Sequence, residues 1–72
     1  MMDQPILYRG RPFRLKNAGA ISLLRRAVNR HEHGDLLSAR RLVALAVRTE
    51  AGICTSAEAF TEAQTFAIEL AA

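Results

Sequence analysis

The chain has 72 residues, a formal net charge of +3 and one cysteine, Cys54. A chain of this length forms one domain at most, and a single cysteine excludes an intrachain disulfide as the source of its stability. The small core that remains favours self-association, and a homodimer is its commonest form.

Charge is distributed unevenly along the chain. All ten Lys and Arg lie at or before Arg48, where only three acids oppose them, so this segment carries a net charge of +7. The residues from Thr49 onward hold four Glu and no base, a net charge of −4. This polarity predicts either contact between the two segments or a basic face for an acidic partner.

Residues 5–16, PILYRGRPFRLK, predict a short β-hairpin or an extended arm. β-prone residues stand on both sides of the Arg9-Gly10 turn, and Pro12 limits the second strand to an edge. Because two isolated strands are marginal in water, the hairpin must pack on the helices, pair with a second copy or become ordered on a partner.

Two helices with a tight connection are predicted next. Apolar residues spaced at helical intervals from Ile21 to His31 indicate a helix from Ala18 or Ser22 to His33, capped by Asn17 or Ser22. Gly34 and Asp35 are adjacent stop and start signals, and so short a connection makes the two helices antiparallel.

The second helix begins near Leu36 and ends at Glu50-Ala51-Gly52. It is apolar around much of its C-terminal half, so it requires two neighbours rather than one. Thr55 and Glu58 have the spacing of a capping box and open a third helix, which is rich in Ala and Phe.

The predicted fold is therefore mainly α, a hairpin or arm (1–17) followed by a three-helix domain (18–72), as one compact unit and a dimer. The apolar positions expected to build the core or a dimer seam are Leu24, Val28, Leu42, Leu45, Phe60 and Phe66.

The stretch His31-Glu32-His33-Gly34-Asp35 looks most like a metal site. However, two histidines two residues apart point about 200° away from each other on a helix, and zinc needs three or four ligands. Cys54 has no base beside it in the sequence. No glycine-rich phosphate loop or catalytic series is present. We therefore predict no metal, no cofactor and no enzymatic activity.

The residues expected to meet an acidic partner are the arginines of the hairpin and the first helix. They are Arg9, Arg11, Arg14, Arg25, Arg26 and Arg30. With excess apolar helix surface, they predict a small non-catalytic protein-binding modulator, an inhibitor or adaptor of the type that phages and mobile elements encode.

A second interpretation is a small dimeric DNA- or RNA-binding regulator that uses the same arginines. Residues 5–48, a strand followed by two helices, resemble in outline a ribbon-helix-helix repressor, which dimerises through its strand. Gly10 and Pro12 interrupt the strand that this family keeps continuous. The N-terminus has no pattern of a secretory leader, and Leu42–Val47 is too short to span a bilayer, so a cytoplasmic protein without membrane contact is predicted.

Overall fold

The computed structural model describes residues 5–65, which form an antiparallel hairpin followed by three helices. The elements are β1 (Ile6–Tyr8), β2 (Arg11–Phe13), α1 (Ala18–Glu32), α2 (Leu36–Glu50) and α3 (Ser56–Thr65). The mainly helical architecture and the N-terminal hairpin are as predicted.

A two-residue turn joins β1 to β2. Tyr8 lies opposite Arg11, so the turn consists of Arg9 and Gly10 alone. Their φ angles are +54° and +81°. A turn with positive φ at both central residues is type I′, whose twist matches that of the two strands it joins. Glycine takes this conformation freely, whereas Arg9 takes it at a steric cost.

The hairpin packs on α1 rather than extending from the body. Tyr8 is buried, and its ring meets the ring of His31 edge to face with 5.4 Å between centroids. Pro12 lies opposite Leu7, one pair beyond the hydrogen-bonded pair next to the turn. Hydrogen-bonded and non-hydrogen-bonded pairs alternate in an antiparallel ladder, so the missing N–H of Pro12 costs this ladder nothing.

The start of α1 is held by two side chains. The side-chain oxygen of Asn17 accepts hydrogen bonds from the N–H groups of Gly19 (2.8 Å) and Ala20 (3.1 Å), which makes Asn17 the N-cap. The carboxylate of Glu50 accepts from the N–H groups of Lys16 (3.0 Å) and Asn17 (2.9 Å). The end of α2 therefore meets the start of α1, as in the predicted antiparallel helix pair.

Gly34 ends α1 in a Schellman motif. Its φ is +87°, and its N–H donates to the carbonyl of His31 at 3.0 Å. The next N–H, that of Asp35, reaches back to the carbonyl of Arg30 at 2.9 Å. Asp35 then caps α2 by accepting from the N–H of Ser38 at 3.2 Å. One glycine and one aspartate thus reverse the chain between the two helices.

The end of α2 repeats the motif. Gly52 has a φ of +82°, and the N–H of Ile53 donates to the carbonyl of Arg48 at 2.9 Å. The predicted capping box follows: Thr55 Oγ1 accepts from the N–H of Glu58 (3.1 Å), while the Glu58 carboxylate accepts from the N–H of Thr55 (2.9 Å).

The core lies where the helices meet and under the hairpin. Its largest fully buried side chains are Leu23, Leu24, Leu42 and Leu45, with Tyr8 and six alanines around them. Small residues bring the helices close together. A Cβ atom on Gly19 of α1 would lie within 2.7 Å of Ser56 Cβ, at the start of α3. Thr49 is the one buried polar residue in 5–65, and its hydroxyl donates to the carbonyl of Leu45 at 2.8 Å.

Candidate interaction surface

The hairpin carries three of the six arginines predicted to contact a partner. Arg9, Arg11 and Arg14 are all exposed. Arg9 lies in the turn and Arg11 follows it at the start of β2, so both project from the tip of the hairpin. Because Tyr8 anchors this hairpin on α1, the charges are presented by an ordered element.

The three arginines of α1 do not share one environment. Arg25 is exposed on the outer side of the helix. The guanidinium carbon of Arg26 lies 5.1 Å from the ring centroid of Phe60 on α3, in cation–π geometry. Arg30 forms an ion pair with Asp35 at 3.4 Å, and its side chain is 20% exposed. Four of the six predicted arginines are thus exposed, and the other two, Arg26 and Arg30, are half-buried.

The pair between Arg30 and Asp35 belongs to the turn between α1 and α2. In a Schellman motif these two positions are often joined by an apolar contact, and here an ion pair takes its place. Hydrogen bonds from Ser38 and, beyond them, the Arg30 guanidinium lower the pKa of Asp35 from its ordinary value. Asp35 is therefore a charged structural residue of this turn.

The two histidines of the same segment are used separately. His31 is half-buried against Tyr8, whereas His33 is exposed and its Nδ1 donates to the carbonyl of Asn29 at 2.8 Å. Within residues 5–65, no three His, Cys, Asp or Glu side chains come close enough together to hold a metal ion. Cys54 is half-buried, with its Sγ 3.6 Å from the Thr49 hydroxyl.

The apolar residues predicted for the core or a dimer seam divide by burial. Leu24, Leu42 and Leu45 are fully buried inside one chain and belong to its own core. Val28 and Phe60 are half-buried and pack against that core. Phe66 lies outside the described residues.

Several large apolar side chains of α2 are exposed on its surface instead of packing in the core. Leu36, Leu37 and Val47 of α2 are 51%, 65% and 47% exposed. They lie on the side of the helix opposite Leu42, Leu45 and Thr49, all of which are buried. We call this surface the outer face of α2, and its members are Leu36, Leu37, Arg40, Ala44 and Val47. Val43, which is half-buried and packs against the core, forms one edge of the face, and the exposed arginines Arg41 and Arg48 lie along the other edge.

The position of this face follows from the neighbours of α2. On one side, Glu50 bonds to the residues that begin α1. On another side, Arg48 pairs with Glu62 of α3 at 3.8 Å. The outer face lies between these two directions and away from the core. The unusual apolarity of α2 was visible in the sequence, but which of its apolar residues remain exposed depends on how α1 and α3 pack.

No family model, curated protein or solved structure matches this chain. Within the described residues, every helix is too short or too polar to cross a lipid bilayer.

Proposed function

We propose that the protein is a small non-catalytic modulator that acts by direct contact with a larger protein, as an inhibitor or adaptor. The observation that carries this proposal is the outer face of α2. Three large apolar side chains are about half exposed there, although the same chain fully buries four leucines elsewhere. Contiguous apolar surface of this kind is typical of a protein-binding site.

The exposed arginines support a partner with an acidic surface. Arg9, Arg11, Arg14 and Arg25 are exposed, and Glu32 is the only acid between residues 5 and 33. Exposed charges of one sign accelerate association with a surface of the opposite sign and select against partners of like charge. We propose that these arginines orient the partner and that the apolar face supplies the lasting contact.

Capture from a native lysate tests this proposal. Tagged protein is incubated with lysate of the cell that encodes it, with and without nuclease, and retained proteins are identified by mass spectrometry. The matched variants are Leu37→Glu on α2 and Leu7→Glu on the hairpin, since both leucines are well exposed at 65% and 59%. The expected result is one stoichiometric protein that survives nuclease and is lost with Leu37→Glu but kept with Leu7→Glu. Retention of no protein would refute the proposal.

A second candidate function, binding of DNA or RNA, is favoured by the two arginines at the hairpin tip. Arg9 and Arg11 are exposed on an ordered β-turn that could approach phosphates. Salt separates the two candidates, because binding through phosphates weakens steeply with ionic strength whereas an apolar protein interface responds little. Loss of all captured material on nuclease treatment would favour nucleic acid.

Homodimerisation remains a prediction from the short length of the chain, and light scattering coupled to size-exclusion chromatography measures it directly. A cytoplasmic location remains a prediction as well, which fluorescence microscopy of the tagged chain would test.

A further inference from the structure

The centre of the outer face of α2 is a cation. Arg40 is exposed, and the helix places Leu36 and Leu37 four and three residues before it. Val43 and Ala44 follow three and four residues after it. Residues three and four apart are neighbours on a helix surface, so apolar side chains surround Arg40 on both sides. Val47, one turn further along, extends the same surface.

Arg40 forms no ion pair with any other of the described residues 5–65. The carboxylates nearest to α2 at its two ends are already engaged. Asp35 binds Ser38 and Arg30, and Glu50 accepts from the backbone of Lys16. The outer face of α2 therefore presents a positive charge among apolar side chains, and no carboxylate of residues 5–65 pairs with it.

We propose that the outer face of α2 docks against an amphipathic helix of the partner protein, which places a carboxylate opposite Arg40 within its own ring of apolar side chains. This inference rests on the proposed function and adds the chemistry of the partner. Apolar side chains around Arg40 exclude water on docking, and an arginine deprived of water requires an anion. A regular helix face packs by ridges and grooves, for which a second helix is the natural counterpart.

A second copy of this chain fits the face less well. If two copies pair with the two-fold axis through the centre of this face, Arg40 meets Arg40 where water is excluded. Like charges in that position oppose association. Nucleic acid fits the face less well than a helix, because the side chains around Arg40 at three and four residues' distance are apolar and offer nothing to phosphates, and Arg48 at the edge is paired with Glu62.

A displayed peptide library identifies the partner chemistry without knowledge of the partner. The full chain is used to select from random peptides of about 20 residues, long enough for a helix that spans α2. The enriched peptides are expected to combine Asp or Glu with apolar residues at helical spacing and to become helical on binding. A selected peptide is then synthesised for measurement of its Kd.

Three variants locate the contact. Arg40→Gln is expected to weaken binding at least about 30-fold, the loss typical when one partner of an interfacial charge pair is removed. Val47→Ser, which removes part of the apolar ring, is expected to weaken it about 10-fold. Lys16→Gln removes the same charge from an exposed position before α1, keeps the backbone N–H that Glu50 accepts from, and should leave the Kd unchanged. Circular dichroism confirms that each variant is folded.

Charge exchange gives the decisive result. Arg40→Glu should abolish binding of the selected peptide, and replacing the peptide's acid by Lys should restore it. Enrichment of basic or non-helical peptides, absence of any enriched peptide, or a Kd indifferent to Arg40 would overturn the inference.

Two other outcomes also overturn it and name a different occupant. Concentration-dependent dimerisation that is lost with Val47→Ser would assign the face to a second copy. Binding of a DNA duplex or a single-stranded RNA that is lost with Arg40→Gln would assign it to nucleic acid. If lysate capture yields a protein that Arg40→Gln retains equally well, the proposed function stands and this inference fails.

Discussion

Replacing Gly19 by Ala tests the close approach of α1 and α3. Gly19 is the second residue of α1, and its position faces the first residue of α3. An added Cβ would lie 2.7 Å from Ser56 Cβ and closer still to Ser56 Oγ. Rotation can move the hydroxyl aside, but Ser56 Cβ moves only with its backbone. One of the two helices must therefore shift.

Two opposing contributions to the free energy of unfolding determine whether Gly19→Ala stabilises or destabilises the protein. Alanine in place of glycine within a helix ordinarily stabilises a protein by about 0.5–1 kcal/mol. Forcing an extra methyl group into a packed contact costs about 1–3 kcal/mol. Because a backbone shift is required here, we expect the second term to exceed the first. The expected net loss is about 1 kcal/mol, which lowers the Tm of a domain of this size by about 4–8 °C.

Thermal and urea unfolding followed by circular dichroism measure this change. Ser56→Gly removes both Cβ and Oγ and serves as the matched partner. If the contact is as described, Gly19→Ala should be tolerated in the Ser56→Gly background, with a favourable coupling of about 1 kcal/mol between the two changes. An increase in Tm for Gly19→Ala alone, or strictly additive effects, would refute the reasoning.

Three further substitutions test separate parts of the structure. Leu42→Ala empties a fully buried position and should cost about 2–5 kcal/mol in urea unfolding, so an unchanged midpoint would place Leu42 outside the core. Asp35→Asn keeps a good helix cap but removes a carboxylate whose pKa is lowered in the fold. The stability due to its charge is present above the unfolded-state pKa of about 3.9 and is lost as the pH falls through the lower folded-state pKa. The variant should therefore lose less stability than the wild type between pH 7 and pH 3, and equal losses would contradict this role. Tyr8→Phe removes a buried hydroxyl that has no hydrogen-bond partner in residues 5–65, so its Tm should equal or exceed that of the wild type, and a clear decrease would indicate an undetected partner for the hydroxyl.

The parts of the fold that follow from short-range chemistry were predictable from the sequence. Asn17 as a cap, Gly34 with Asp35 as a stop and start, and the Thr55–Glu58 box all act within a few residues. The predicted helix boundaries therefore agree closely with the observed ones. The two-residue hairpin turn was predictable for the same reason, although Arg9 is an unfavourable residue for its conformation.

Contacts between distant parts of the chain were not predictable. The stacking of Arg26 on Phe60 crosses from α1 to α3, and no local pattern links the two residues. The helical periodicity from Ile21 to His31 predicts the helix, but it does not predict which residues of that helix are the most deeply buried. Leu23 and Leu24 are both fully buried because the core of α1 lies between the directions of α2 and the hairpin.

The candidate surface was likewise predictable only where it depends on local sequence. That α2 has more apolar residues than one neighbour can cover was visible from its sequence. Which of its arginines is surrounded by them depends on the directions in which α1 and α3 pack. Arg40 was not singled out from the sequence, because its exposure among apolar side chains depends on which side of α2 faces the core.

The carboxylate of Glu50 also has a consequence for the order of folding. Its bond to the N–H of Lys16 joins residues 34 positions apart and closes the loop that contains both α1 and α2. Closure of so long a loop loses chain entropy, which is recovered only after the two helices have paired. The hydrogen bonds from Lys16 and Asn17 to Glu50 therefore form late in folding and break early in unfolding. Hydrogen exchange at Lys16 and Asn17 consequently reports on the last turn of α2, since their amide protons become free only when Glu50 moves away.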